Sequence, residues 1–143
     1  MTVATPEIGA AGLAGTVSAA LDAPNATLGA WTATPLTHRI INGVCGGLWR
    51  VAGAAQVGGA TREWSVILTI SGGVTSDPTS PLAPTDEPGH WNYWRREPAL
   101  YASGLLDALP PGLRAPRSFG TTARGAHELW LWLEDVAAPT AAG

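Results

Sequence analysis

The chain contains no lysine: all eight of its cations are arginines, at positions 39, 50, 62, 95, 96, 114, 117 and 124. Schiff-base chemistry, a lysine general base and a phosphate-loop lysine are therefore excluded. Cysteine is nearly absent too. Cys45 alone permits neither an internal disulfide nor a thiolate-based zinc site. Charged residues are scarce at 13%, the net charge is −3 and no basic run occurs. A dedicated nucleic-acid binder would show a clustered Arg/Lys footprint, so no nucleic-acid partner is expected. No window approaches about 18 uninterrupted apolar residues, and no basic region precedes the first apolar ones. The expectation is a cytoplasmic protein with neither a membrane partner nor a secretory leader.

What is present suffices for one domain: 143 residues, 45% of them hydrophobic, including seven tryptophans. Residues 1–35 are rich in Ala, Gly and Thr. Leu13, Val17 and Leu21 recur every four residues, while Gly9, Gly12 and Gly15 weaken any helix there, so the segment reads as a weak helix or a flexible stretch. Strand signals begin at Leu36. Leu36–Ile41, Leu48–Gly53 and Glu63–Ile70 are apolar runs separated by two glycine-bearing turns, Asn42–Gly47 and Val57–Ala60, which suggests a three-stranded antiparallel meander. Residues 71–89 carry no periodicity and several prolines and glycines, as a mobile loop would. A helix follows, with Trp91, Trp94, Tyr101 and Leu105 at helical offsets, Leu106 beside that stripe and an interruption at Pro98. Strands at about Arg117–Ala123 and Glu128–Glu134 complete the order. The expected fold is α+β: a five-stranded antiparallel sheet with one principal helix between strands 3 and 4. The expected division is 1–35, a unit over 36–138, and a tail over 139–143.

Glu97 stands three residues after Trp94 and four before Tyr101, which puts a carboxylate on the apolar side of the expected helix. Such a group needs a partner, so it is either paired with Arg50 or Arg62, exposed at the Pro98 interruption, or part of a site. His38, His90 and His127 lack metal-ligand spacing, and no metal site is expected. Glu134 and Asp135 are adjacent in an extended segment, so their side chains point opposite ways and do not share a reaction centre.

The run from His90 through Trp91, Trp94, Arg95, Arg96, Glu97, Pro98 and Tyr101 to Ser103-Gly104-Leu105-Leu106 resembles the aminoglycoside phosphotransferase-like small-molecule kinases, which have a protein-kinase-like fold. Leu113–Arg117 and Leu131–Val136 carry the same resemblance, which spans residues 35–138. It implies a kinase-like N-terminal lobe that binds ATP. Gly43, Val44, Cys45, Gly46 and Gly47 would belong to the phosphate-covering hairpin, and Trp64–Ile70 would be the strand of the ATP-contacting lysine. Glu97 would be that lysine's ion-pair partner, and Glu134 and Val136 would flank the backbone that receives adenine.

Two departures follow. The lysine position is Thr69, whose neutral side chain cannot reach phosphates, so ATP binding is expected to be weak or lost. No His-x-Asp-x-x-x-x-Asn pattern occurs, so a catalytic aspartate and Mg²⁺ would have to come with a C-terminal lobe, and the chain reads as a truncated, inactive lobe. The alternative is a non-catalytic interaction module or degenerate pseudokinase lobe, self-associating or meeting a partner through a cleft surface that exposes Trp130 and Trp132. A small sugar-binding domain would account for the tryptophans but not for the glycine hairpin.

Overall fold

The structure is a computed structural model and describes residues 5–36, 45–73 and 77–136. Its elements are α1 (Ala10–Ala20), β1 (Thr27–Pro35), β2 (Cys45–Val57), β3 (Ala60–Gly72), α2 (Arg96–Ala102), a short 3-10 turn (Leu105–Ala108), β4 (Ser118–Ala123) and β5 (Glu128–Glu134). The five strands form one antiparallel sheet in the order β1-β2-β3-β5-β4. Among the described residues, no helix is long and apolar enough to cross a membrane.

β3 builds the centre of the sheet by alternation. Trp64, Val66, Leu68 and Ile70 are all buried on one face. The pairing register sets Trp49, Val51 and Ala55 of β2 and Trp130 and Trp132 of β5 on that same face. α1 closes it: Leu13 and Val17, one helical turn apart, are fully buried in the same apolar cluster. Trp130 and Trp132 are therefore core residues, and the expected exposed cleft does not include them. The β2–β3 hairpin turns on Gly58 and Gly59 at φ of 57° and 85°. Two successive positive φ values match the twist of the flanking strands and favour glycine at both sites.

Several local expectations are corrected. The first strand is β1, inside the segment read as a weak helix or a flexible stretch, whereas Leu36 follows it as coil and residues 37–41 lie outside the described residues. A bulge between Leu28 and Trp31 breaks the period of two there, and Pro35 is tolerated because β1 is an edge strand. The 71–89 segment is not simply a loose loop. Ser71 and Gly72 extend β3, and Asn92 ties down the later part by donating from Nδ2 to the Leu82 and Ala83 carbonyls at 2.6 and 2.9 Å.

α2 is shorter than expected, and α1 is the longer helix, so the helix between β3 and β4 is not the principal one. Trp91 and Trp94 precede α2 in turns, and Trp94 is buried instead by donating Nε1 to Asp86 at 2.8 Å beneath the stacked Arg95 guanidinium. Pro98 causes no break. It lies in the first turn, where a missing N–H costs no intrahelical hydrogen bond, and it is the buried residue of the helix.

Candidate functional site

α2 packs against β4 and β5. On the sheet face turned away from α1, Leu131 and Leu133 of β5 are buried outside the α1 cluster. Across β2 and the first half of β3, the same face carries Leu48, Arg50, Ala52, Ala54, Ser65 and Ile67, all half-buried.

Arg50 is the cation that β2 raises on this face, and its partner is Asp135, just beyond β5. Arg50 Nε donates to Asp135 Oδ2 at 2.7 Å, and Ser65 Oγ donates to the same oxygen at 2.6 Å. The Asp135 side chain is 2% exposed and that of Arg50 40%. The hydrogen bond to Asp135, followed by its charge, raises the Arg50 pKa above its ordinary value. A buried carboxylate that accepts from a guanidinium and a hydroxyl fixes both donors in place. Arg50 Nη1 and Nη2 carry no hydrogen bond to any described residue.

Glu134 points the other way, as adjacent residues in extended backbone do. Arg114 donates to its two oxygens at 2.6 and 3.3 Å, and the Arg117 N–H to Oε1 at 3.0 Å. These bonds, that of Arg114 foremost, hold the Glu134 carboxyl below the usual range. The side chain thus anchors the connector 114–117. Val136 is exposed at the end of the described chain.

Thr69 is buried on the face away from α1, between Leu48 of β2 and Leu131 of β5. Any triphosphate on this face meets no cation at that position. Glu97 departs from expectation. With Trp94 outside the helix, no apolar stripe joins residues 94, 97 and 101, and Glu97 lies exposed in the first turn of α2. It pairs with neither Arg50 nor Arg62, whose Nη1 donates to the Leu21 carbonyl at 3.2 Å. Nearby protein nevertheless desolvates its carboxyl and raises its pKa, and its charge adds to the desolvation that raises the Tyr101 hydroxyl.

Gly43 and Val44 lie outside the described residues, and Cys45 begins β2 opposite Ser71. Gly46 and Gly47 are strand residues at a bulge. Side chains there would crowd Ile70 Cγ2 and Trp49 Nε1, each 3.0 Å from the added carbon, so both glycines serve packing within β2 and β3.

A cavity of about 310 Å³ opens elsewhere, at the start of β4, lined by Tyr101, Leu106, Leu113, Arg114, Arg117 and Ser118. Its arginines are engaged, Arg114 by Glu134 and Arg117 by Asp22 at 3.1 Å.

Reasoning from sequence did not bring Arg50, Ser65 and Asp135 together. The available signal was an acidic residue following an apolar strand, where burial demands a partner; the partner itself depends on register. Compared with protein-family models, with curated proteins and with solved structures, the chain matches none.

Proposed function

We propose that the chain is the nucleotide-facing half of a small-molecule kinase of the aminoglycoside phosphotransferase type. It holds ATP weakly and transfers no phosphate on its own. The observation that carries this reading is one sheet face that combines Thr69 with the Arg50–Asp135 pair at the exit of β5, in a sheet whose β4 and β5 pack against α2. The β1-β2-β3 meander, the helix between β3 and β4, and β5 as the next neighbour of β3 support it.

The parent reaction is transfer of the γ-phosphoryl group of ATP to a hydroxyl of an aminoglycoside, sugar or similar metabolite. The catalytic aspartate and the Mg²⁺ ligands would come from a second lobe, since the 143 residues contain no such motif. A charge-assisted contact of the kind Thr69 lacks is worth ~1.5–3 kcal/mol, or about tenfold to a hundredfold in affinity. Calorimetry with a non-hydrolysable ATP analogue tests the reading. Thr69→Lys is expected to bind more tightly than the wild type by that factor, with Thr69→Met as the uncharged control. Silence from a folded Thr69→Lys protein toward this analogue and the corresponding guanine nucleotide alike overturns the nucleotide reading.

A second reading, a non-catalytic interaction module, has its own observation in the exposed Leu100, Leu105, Leu113 and Val136. Sedimentation velocity separates it, because self-association without nucleotide binding favours the module.

A further inference from the structure

We propose that Arg50 reads the base of the bound nucleotide, and that the base it selects is guanine rather than adenine. This rests on the nucleotide-binding reading above and adds a substrate class to it. Three features of the structure support it.

The first is preorganisation. Arg50 Nε is held by Asp135 at 2.7 Å, and the carboxylate is itself held by Ser65 at 2.6 Å, so the guanidinium reaches no farther than its anchor allows. Ordering of the arginine is then already present before a ligand arrives.

The second is the donor set. With Nε engaged, Nη1 and Nη2 have no hydrogen-bond partner among the described residues, and the side chain keeps 40% of its surface exposed. Asp135 already offsets the positive charge, which weakens the pull on a phosphate but leaves the N–H groups as donors. A neutral edge carrying two adjacent acceptors suits such a group. Guanine presents that edge through O6 and N7, whereas adenine sets the N6 donor beside N7 and opposes an N–H with an N–H.

The third is place. Arg50 stands where β5 ends; on this face it lies opposite Ile67 of β3, an apolar side chain on which a flat ring can pack, with Ala52 beside it and Ser65 diagonal to it. Base recognition at this end is independent of position 69, so it survives the loss of the phosphate-gripping lysine.

The test is calorimetry of the 143-residue protein, and of Thr69→Lys to raise affinity, with GTP and ATP in parallel. Guanine is expected to bind about tenfold to a hundredfold more tightly than adenine. Arg50→Met is expected to abolish the preference. Arg50→Lys keeps a cation beside Asp135 but loses the two-pronged donor, and it is expected to abolish the preference as well, with circular dichroism showing the fold intact. Equal affinity for the two nucleotides, tighter ATP, or a guanine preference that persists in a folded Arg50→Lys protein overturns this inference while leaving the nucleotide site standing. Absence of binding to either nucleotide, in Thr69→Lys as well, overturns both.

Discussion

Arg50 and Asp135 stand 85 residues apart in the chain and meet at 2.7 Å on the sheet face opposite α1, joined by Ser65 at 2.6 Å. The contact ties the exit of β5 to β2 and β3, so Asp135 cannot shift without breaking hydrogen bonds to a carboxylate whose side chain is 2% exposed. Asp135→Ala is expected to cost about 1–3 kcal/mol, because it strands the Ser65 hydroxyl and the guanidinium together. Urea unfolding measures the loss. Arg50→Met is expected to cost less, since that side chain already has access to water.

Docking of α1 is tested at Leu13. The residue is 1% exposed against the tryptophan-rich face of the sheet. Leu13→Ala is expected to destabilise the fold by about 2–5 kcal/mol. An unfolding midpoint unchanged from the wild type would mean that the helix is not part of the core.

The parts of the fold legible in the sequence were those whose periodicity runs without a break. The alternating residues of β3, the Gly58-Gly59 turn and the limits of β5 at Glu128 and Glu134 follow from pattern alone. β1 was hidden because its bulge shifts the phase at Trp31 and because an edge strand buries little. The length of α2 was overread because Trp91 and Trp94 fall at helical offsets by coincidence; Trp94 is held by Asp86 and lies across Gly73. The Arg50–Asp135 pair was out of reach because it depends on the register of three strands, which local sequence does not encode.

Gly53 probes the bulge. A Cβ there would press on the Ala30 carbonyl oxygen and lie 3.0 Å from Trp31 Cα. Both obstacles are backbone, so no rotamer change relieves them. Gly53→Ala is expected to cost about 1–3 kcal/mol, read from the thermal unfolding midpoint.

Two carboxylates respond to pH with opposite signs. Glu97 has a raised folded pKa, so its ionised form penalises the native state at neutral pH, and the penalty fades as pH falls through that pKa. Glu97→Gln is expected to stabilise the protein at pH 7, with the gain vanishing below the ordinary carboxylate range. Glu134 has a lowered folded pKa, so it contributes stability above its unfolded value and loses that as pH falls through the folded one. Glu134→Gln is expected to destabilise at pH 7 and to be neutral in acid. Urea midpoints of the three proteins across pH 3–8 separate the two.

The most direct measurement of the central claim is a backbone amide NMR titration of the isotopically labelled chain with nucleotide. The account predicts shifts confined to the sheet face opposite α1, at Leu48, Arg50, Ala52, Ile67 and Thr69, and at residues 134–136 beside them. Shifts gathered instead around Tyr101, Leu113 and Arg117, or none anywhere on the described chain, would contradict it.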